Sequence, residues 1–452
     1  MTAGSTPTSV SANCSPDSRP NAKRLRVSAD TIFALSSGRP PAAVSIIRVS
    51  GPAAHEAGLR LARRLPKARQ AALRTLRDST GAVLDDALVL RFDGPASSTG
   101  EDIIEFQCHG GRAVVDAVLA ELSIIEGVRL AQPGEFTRRA FENGRIDLTE
   151  AEGLADLIEA ETESQRKVAL AMAEGGLSRV VDEWQQRLLA LSARAEAAID
   201  YVGEDDVDAD SGLAKDCAAL AAELGGWLAR PRAEPLKDGI RVVVAGPPNA
   251  GKSSLINAIA GSERAIVTDI PGTTRDHIEV PLALDGIPIL LTDTAGLRDG
   301  GETVERIGIE RARSLIERAD ILLWLGDPAE PPPHPRRIDV HARADEPDRE
   351  IIPPGTLPVS SLKGEGIRSL LEAVQALTRG FLPAEDALAL NRRQATHISS
   401  AHEKISHAAS QREVVLTAED LRAARSDFDQ LTGRAGMESV LDALFGRFCL
   451  GK

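Results

Sequence analysis

The stretch Gly246-Pro247-Pro248-Asn249-Ala250-Gly251-Lys252-Ser253 decides the fold of the central part of the chain. It matches G-x-x-x-x-G-K-[ST], in which backbone amides and a helix N-terminus surround phosphate groups. A β-branched run at Ile240–Ala245 precedes it, and a helical segment at Lys252–Ala260 follows. This order of strand, glycine loop and helix predicts an α/β nucleotide-binding domain in which Lys252 reaches the phosphates and Ser253 binds Mg²⁺.

Two motifs downstream are typical of GTPases. Asp293-Thr294-Ala295-Gly296 follows a second apolar strand, and it supplies an acid beside the Mg²⁺ and a glycine amide near the γ-phosphate. Between the two motifs lies Gly272-Thr273-Thr274-Arg275-Asp276, where a switch segment is expected. Thr274 is therefore a second candidate Mg²⁺ ligand through its hydroxyl.

Selection of the base depends on one carboxylate. The Asn-Lys-x-Asp motif of GTPases is replaced by Ala342-Arg343-Ala344-Asp345, which keeps only the aspartate. Asp345 can accept two hydrogen bonds from the N1–H and N2–H₂ groups of guanine, which adenine does not offer. Ser360-Ser361-Leu362 is predicted to close over the base. GTP is favoured over ATP, with weakened affinity for the base.

The residue that activates water is not the usual one. Leu297 follows the Asp-Thr-Ala-Gly motif at the position where Ras-like GTPases place a glutamine, and leucine cannot orient water. Three acidic residues, Glu302, Glu305 and Glu310, follow in the expected switch region. One of them is the candidate for this role.

Composition limits the class of protein. The 452 residues predict two to three packed units, and the net charge of -14 argues against a protein that coats nucleic acid with its whole surface. The four cysteines form no C-x-x-C pair, and no run is long and apolar enough to span a membrane. A cytoplasmic protein with no membrane contact is predicted. Residues 1–27 are interpreted as a disordered extension, with an organellar transit peptide as the alternative.

Changes of periodicity divide the rest of the chain into three domains. Residues 28–145 mix short strands, a helix and glycine turns, which predicts an α+β domain. Residues 146–236 and 384–452 are rich in Ala, Leu and Glu at helical spacing, which predicts an all-α domain. Residues 237–383 form the α/β P-loop domain, of the Ras-like kind and called the G domain below. We expect it to be inserted into the helical domain.

These motifs and both ends of the chain closely resemble the tRNA-modification GTPase family called MnmE or TrmE. The residues that carry the resemblance are Gly134-Glu135-Phe136-Thr137 with Arg139-Ala140-Phe141, Asp147-Leu148 with Ala155-Asp156-Leu157-Ile158, Val304-Glu305-Arg306-Ile307-Gly308-Ile309, and Phe448-Cys449-Leu450-Gly451-Lys452. The match extends over nearly the whole chain.

The resemblance implies a homodimer that acts with the flavin-dependent partner MnmG, or GidA, as a heterotetramer. Together they would install an aminomethyl or carboxymethylaminomethyl group at C5 of the wobble uridine of certain tRNAs. It also implies that K⁺, bound by Asn249, Thr268, Ile270 and Thr273, promotes pairing of G domains and hydrolysis, and that Glu305 orients water. The GTP-binding residues implied are Asn249, Ala250, Gly251, Lys252, Ser253, Ser254, Thr268, Asp269, Ile270, Pro271, Gly272, Thr273, Thr274, Asp293, Thr294, Ala295, Gly296, Asp345, Ser360, Ser361 and Leu362.

By the same resemblance, residues 28–145 form a tetrahydrofolate-binding and dimerisation domain. The one-carbon unit for the modification would come from 5,10-methylene- or 5-formyl-tetrahydrofolate. The residues that would hold this folate are Arg48, Glu105, Arg145 and Lys452. The family often has lysine at position 145 and tyrosine where Ser98 stands, so the pocket departs from the pattern. Cys449 is a candidate catalytic thiol or a packing residue.

One alternative function remains open from the residues themselves. A GTPase with this site could be a regulatory switch in ribosome assembly or signalling, without modification chemistry. The folate-like domain and the Cys-Leu-Gly-Lys terminus favour the enzyme, because a pure switch would not need them.

Overall fold

The computed structural model describes residues 30–200, 211–262, 265–267, 279–294, 310, 312–382, 388–435, 438–446, 448 and 451. It consists of two compact units. One, the N-terminal unit, extends to Arg145 and also contains residues 449–452, whereas the other contains residues 146–448. The predicted extension at residues 1–27 lies outside the described residues.

The N-terminal unit is built on a six-stranded sheet in the order β3-β4-β5-β2-β1-β6. All neighbouring strands are antiparallel except β1 and β6, which are parallel. The elements are β1 (Thr31–Leu35), β2 (Val44–Ser50), α1 (Ala54–Ala62), β3 (Ala71–Arg77), β4 (Val83–Phe92), β5 (Ile103–His109), α2 (Arg112–Ser123), β6 (Val128–Leu130) and α3 (Glu135–Glu142). Alternate residues of β2 and β5 are buried, so one face of the sheet packs against α1 and α2.

Gly451, the last residue that the structure describes, packs within this N-terminal unit. Gly451 is buried with φ of 94°, and a β-carbon placed on it would lie 2.1 Å from the carbonyl oxygen of Leu35. Only glycine fits a backbone that turns this way so close to the end of β1. The predicted helical range 384–452 includes this residue.

The helical domain contains segments from before and after the G domain. Its helices are α4 (Leu148–Glu159), α5 (Glu163–Ala173), α6 (Gly176–Asp200), α7 (Ser211–Leu228), α8 (Glu234–Asp238), α11 (Arg392–Ser410), α12 (Val414–Thr432) and α13 (Glu438–Phe445). The core of the domain joins α6, α7, α11 and α12 around Trp184, which is fully buried and meets the Trp227 ring edge-on at 5.6 Å. Both sequence segments therefore share one core.

Helix α11 begins later than the sequence pattern predicts. Periodicity favours a helix from residue 387, but residues 388–391 are not helical. Asn391 caps the helix, since its side chain accepts from the Gln394 amide at 2.9 Å and the Gln394 side chain accepts from the Asn391 amide at 3.0 Å. This capping box fixes the first turn at Arg392.

The G domain is a seven-stranded sheet in the order β13-β12-β11-β7-β10-β9-β8. Its elements are β7 (Ile240–Ala245), α9 (Lys252–Ala260), β8 (Ala265–Val267), β9 (Glu279–Leu284), β10 (Ile287–Asp293), β11 (Ile321–Trp324), β12 (Arg337–Ala342), β13 (Leu357–Val359) and α10 (Ile367–Thr378). Five strands, from β13 to β10, are parallel, as expected for the predicted α/β domain. The antiparallel strands β8 and β9 were not predicted.

The two connections between the G domain and the helical domain lie side by side. The Ala233 amide donates to the Leu390 carbonyl at 3.0 Å, and the Glu234 carboxylate accepts from the Arg392 amide. The G domain is therefore inserted, as the layout of the sequence predicts. In the part of the chain that the structure describes, no helix is long and apolar enough to cross a membrane.

Candidate functional site

The phosphate loop (residues 246–253) lies at the carboxyl end of β7, between the ends of β10 and β11. Gly246, Asn249 and Gly251 have φ of 157°, 60° and 92°. A β-carbon on Gly246 would approach the Leu325 side chain at 3.0 Å, so this position also leaves little room. The loop turns sharply and delivers the chain to the first residue of α9, where amide groups point outward.

Lys252 points back into the phosphate loop. Its ammonium group donates to the carbonyl oxygens of Gly246 and Pro247, each at 2.9 Å. The side chain is 7% exposed, so these contacts hold a buried cation at the centre of the loop. A cation in this position attracts phosphate oxygens.

Ser253 and Asp293 meet across the end of the sheet. The Ser253 hydroxyl donates to Oδ2 of Asp293 at 2.6 Å, and Asp293 is 1% exposed at the end of β10. A hydroxyl and a carboxylate are the hard oxygen ligands that suit Mg²⁺. The donor set therefore fits the predicted ion, and Asp293 lies next to Ser253, the last residue of the phosphate loop.

Thr294 is fixed by the strand beside it. Its amide and hydroxyl donate to the Val244 carbonyl at 3.3 and 3.0 Å. These bonds hold the chain that follows Asp293 against β7. The motif continues with Ala295 and Gly296, which lie outside the described residues.

The predicted base-binding residues come together at the other end of the site. Ala344 donates its amide to the Val359 carbonyl at 3.1 Å, which joins the base loop (residues 342–345) to the end of β13. The buried Ser360 hydroxyl donates to Asp345, and this bond lowers the pKa of Asp345, with further contributions from the charges of Lys363 and Arg343. Asp345 is therefore ionised at neutral pH and can accept hydrogen bonds.

Leu362, by contrast, is 87% exposed. The loop between Ser360 and Lys363 is held because Ser360 Oγ accepts from the Lys363 amide at 3.1 Å. This leaves an apolar side chain at the rim of the site, where a planar base can cover it.

Sequence reasoning did not foresee how Arg343 connects the two loops. Its guanidinium donates to Glu346 at 2.6 Å and to the backbone carbonyl of Asn249 at 3.3 Å. The available signal was its place in the base motif, immediately after Ala342.

Several predicted residues of the G domain lie outside the described residues. They are Thr268, Asp269, Ile270, Pro271, Gly272, Thr273, Thr274, Ala295, Gly296, Leu297, Glu302 and Glu305. Glu310, the third acidic candidate, is described and exposed. The proposed K⁺ ligands and the water-orienting residue remain predictions, as does the role of Thr274.

In the N-terminal unit, two of the predicted folate residues form a pair. Arg48 on β2 and Glu105 on β5 are cross-strand neighbours, and Oε1 of Glu105 lies 2.9 Å from Nε and 2.8 Å from Nη2 of Arg48. The guanidinium carbon of Arg48 also lies 5.7 Å from the centre of the Phe136 ring. The pair offers both a cation and a carboxylate on one sheet face.

The other folate candidates do not join this pair in the described structure. Arg145 is exposed, and a β-carbon on Gly100 would lie 3.3 Å from its Cγ. Among the residues described, no hydrogen bond or ion pair connects Arg145 with Arg48 or Glu105. Lys452 and Cys449 lie outside the described residues.

A buried charged cluster near β1 was also missed. Arg139, in the Gly134–Phe141 motif, is 3% exposed and donates to Glu101 at 3.2 Å and to the Asp30 carboxylate at 2.9 Å. Glu101 also accepts from Ser50 at 2.7 Å. These buried ion pairs explain why arginine occupies position 139.

Comparisons with known proteins cover both units. Residues 31–145 match a family model described as the GTP-binding protein TrmE N-terminus, and residues 148–449 match one described as the MnmE helical domain. The "tRNA modification GTPase MnmE" of Novosphingobium aromaticivorans is 53% identical over 435 residues, covering 94% of this chain and 100% of that protein. The protein of the same name from Erythrobacter litoralis is 53% identical over 425 residues, with the same coverage.

Solved structures resemble a smaller part of the chain. The crystal structure of the G domain of the T. maritima FeoB iron transporter covers 31% of this chain and 98% of that chain, at 25% identity and a TM-score of 0.23. Similarity at this TM-score is too low to bear on function.

Proposed function

Because the chain belongs to the tRNA modification GTPase MnmE family, we propose that its described G-domain site binds Mg²⁺·GTP through specific residues of this chain. The contact that carries the proposal is the 2.6 Å bond between Ser253 and Asp293. Lys252 would bind the phosphates, and Ser253 would coordinate Mg²⁺ together with Thr274, while Asp293 orients Ser253.

Guanine specificity rests on Asp345. The Ser360 hydroxyl and the nearby positive charges keep Asp345 ionised, so it can accept from two N–H groups of guanine. Dissociation constants for GDP and ADP test this assignment. We expect GDP to bind at least about 100-fold more tightly, because a site built for hydrogen bonding rejects a partner that lacks the donors. Equal affinities would rule out the role of Asp345.

The site also supports a catalytic role for K⁺. Asn249 is exposed and has a positive φ in the tightly turned phosphate loop, and its backbone carbonyl is bound by Arg343. Asn249, with Thr268, Ile270 and Thr273, would hold K⁺, which supplies positive charge beside the phosphates when it is bound. Replacing Na⁺ by K⁺ should raise the turnover of GTP and promote association of G domains; equal rates in the two salts would remove the ion from the proposal.

Glu305 is proposed to orient the attacking water, since Leu297 offers no polar group. Glu305→Ala should lower kcat by about 100-fold or more while the affinity for GDP stays unchanged. Glu302→Ala and Glu310→Ala are matched controls, because both remove a carboxylate from the same acidic stretch. Full turnover in Glu305→Ala would transfer the role to another residue.

The N-terminal unit is proposed to bind a tetrahydrofolate that donates a one-carbon unit. Glu105 directs Oε1 towards Arg48, which leaves Oε2 as an acceptor for N–H groups of a pterin ring, and Arg145 and Lys452 would attract the glutamate tail. Glu105→Gln keeps the shape but removes the charge. It should weaken binding of 5-formyl-tetrahydrofolate by about tenfold or more, measured by calorimetry. Unchanged affinity would place the folate elsewhere.

The same unit is proposed to form the homodimer. Leu73 and Leu88 are cross-strand partners on β3 and β4, and both are exposed on the sheet. Adjacent exposed leucines mark a surface that a second copy could cover. Leu73→Asp combined with Leu88→Asp should shift the protein from dimer to monomer in sedimentation experiments; a persistent dimer would place the interface on another surface.

The complete reaction is proposed to modify C5 of wobble uridines, together with a flavin-dependent partner of the MnmG kind. Nucleoside analysis of tRNA from cells that lack this protein is the direct test. We expect loss of the aminomethyl-type groups, restored by the wild-type gene and not by Lys252→Ala. Unchanged wobble uridines would favour the regulatory-switch alternative.

A further inference from the structure

The base loop and the phosphate loop are joined by one side chain. Arg343 leaves the end of β12 with a positive φ of 60°, and its guanidinium spans Glu346 and the Asn249 carbonyl, at 2.6 and 3.3 Å. A non-glycine residue keeps this backbone conformation only when its surroundings hold it. Here the ion pair on one side and the carbonyl on the other provide those restraints.

The aliphatic stem of Arg343 also lies against the phosphate loop. A β-carbon on Gly251 would lie 3.6 Å from Cγ and 3.7 Å from Cδ of Arg343, and 3.9 Å from Cβ of Ala342. A side chain at position 251 would therefore meet the stem at ordinary packing distances, so the stem of Arg343 lies beside Gly251 with about the space of one methyl group between them.

The side chain of Ala342 makes no polar link between the loops. The position before Arg343 carries only a methyl group, so its side chain offers no hydrogen bond to the phosphate loop. The remaining polar bond between the loops in the described structure comes from the arginine. A lysine would supply a single ammonium, whereas the planar guanidinium can bind two acceptors at fixed separation.

We propose that Arg343 is a positioning residue that sets the distance between Asp345 and the phosphate loop, and that in this way it compensates for the missing polar group at Ala342. The proposal rests on the proposed roles of Asp345 and of the phosphate loop in binding guanine nucleotides. It adds that base and phosphate contacts act as a coupled unit through Arg343.

Stability is not the main consequence of this arrangement. The Arg343 and Glu346 side chains are 46% and 31% exposed, and exposed ion pairs contribute little to folding. The effect of Arg343 should therefore appear in nucleotide affinity. Arg343→Ala should raise the Kd for GDP by about tenfold and leave the thermal midpoint unchanged.

A double-mutant cycle separates positioning from a local effect. The Kd for GDP is measured for the wild type, Arg343→Ala, Asp345→Asn and the double variant, all as full-length protein. If Arg343 positions Asp345, Asp345→Asn should weaken binding several-fold less in the Arg343→Ala background than in the wild type. Independent effects that multiply would overturn the proposal, as would an unchanged Kd in Arg343→Ala.

Two further variants complete the test. Arg343→Lys should recover only part of the affinity, since it keeps the charge but not the fork. Arg368→Ala is the matched control, because Arg368 forms an exposed ion pair with Glu372 at 3.1 Å on α10. It should bind GDP like the wild type.

Asn249→Ala distinguishes this inference from the proposed role of K⁺. It removes the side chain but keeps the carbonyl that Arg343 binds, so K⁺ stimulation should be lost while the coupling between Arg343 and Asp345, measured by the same cycle in this background, persists. If the wild type shows no response to K⁺, the K⁺ proposal fails and the cycle on Arg343 still decides the inference. The preference of the wild type for GDP over ADP tests the base site separately from the cycle on Arg343.

Discussion

At the scale of single residues, Ser253 and Asp293 show how sequence motifs become a site. They are 40 residues apart, yet the parallel pairing of β7 with β10 brings the ends of the two strands together. The hydroxyl and carboxylate then meet at this edge of the sheet. Removing the hydroxyl or the carboxylate should therefore change ion binding directly.

Ser253→Ala should raise the Mg²⁺ concentration for half-maximal GTP hydrolysis by about tenfold or more, because it removes one oxygen ligand and leaves Asp293 without that donor. Ser253→Thr keeps the hydroxyl and should remain close to the wild type. The measurement is a Mg²⁺ titration of GTPase rate. Equal half-saturation in Ser253→Ala and the wild type would contradict the assignment.

His397 on α11 should make the helical domain sensitive to acid. Burial lowers the pKa of His397, and the neighbouring charge of Arg393 lowers it further. As the pH falls below the unfolded-state pKa of about 6.5, the unfolded chain gains a proton that the folded chain does not, so stability decreases. His397→Gln should show a smaller loss of urea stability between about pH 7.5 and 5.5, followed by tryptophan fluorescence.

His109 serves as a control because its pKa is shifted in the opposite direction. Its bond to Asp85 at 2.7 Å raises the pKa of His109, so its stabilising contribution is complete below the unfolded-state pKa and is lost as the pH rises through the folded one. His109→Gln should therefore lose stability mainly at acidic pH. Identical pH profiles for the two variants would contradict both assignments.

At the scale of elements, local signals predicted the structure best. The P-loop, its preceding strand and α9 match their predicted bounds because glycines, β-branched residues and the helix start lie in one short stretch. Asp345 and Ser360, which were each predicted near the base, lie together because each follows a parallel strand whose end faces the same edge.

Elements that depend on distant pairing were harder to predict. Strand β9 contains Pro281, which usually argues against a strand, but β8 pairs only with residues 282–284 and so Pro281 lies beyond it. The Asp285-Gly286 turn that joins β9 and β10 has positive φ at both residues, and this hairpin signal was readable. The location of Arg145 beside Gly100 has no comparable local signature.

The cap of α4 gives a quantitative test at this scale. Asp147 accepts from the Glu150 amide at 2.9 Å, and Glu150 accepts from the Asp147 amide at 2.7 Å. Asp147→Ala should reduce the free energy of unfolding by about 0.5 to 2 kcal/mol. Urea denaturation measures this change, and Asp147→Asn, which can still cap, should differ little from the wild type. Equal losses in both variants would show that capping is not the cause.

At the scale of the whole molecule, Gly451 packs within the N-terminal unit although the two are far apart in the sequence. Gly451→Ala should detach this segment, because the new β-carbon would collide with the Leu35 carbonyl and the backbone has a positive φ. We expect tRNA modification to fall sharply while basal GTP hydrolysis is retained.

Gly355→Ala is the control for glycine replacement as such. Gly355 also has a positive φ, of 82°, but a β-carbon there meets nothing within 4 Å. It should leave modification nearly unchanged. Limited proteolysis should cleave the terminus of Gly451→Ala earlier than that of the control; equal cleavage would contradict the contact with Leu35.

The neighbouring connections at Ala233 and Leu390 have a practical consequence for protein engineering. Their backbones are joined by a 3.0 Å hydrogen bond, so a short turn of a few residues can replace everything between them without stretching the chain. The shortened protein would keep both segments of the helical core in register. Another GTPase domain could also be inserted at the same junction. The nucleotide response of the protein could then be exchanged together with that domain.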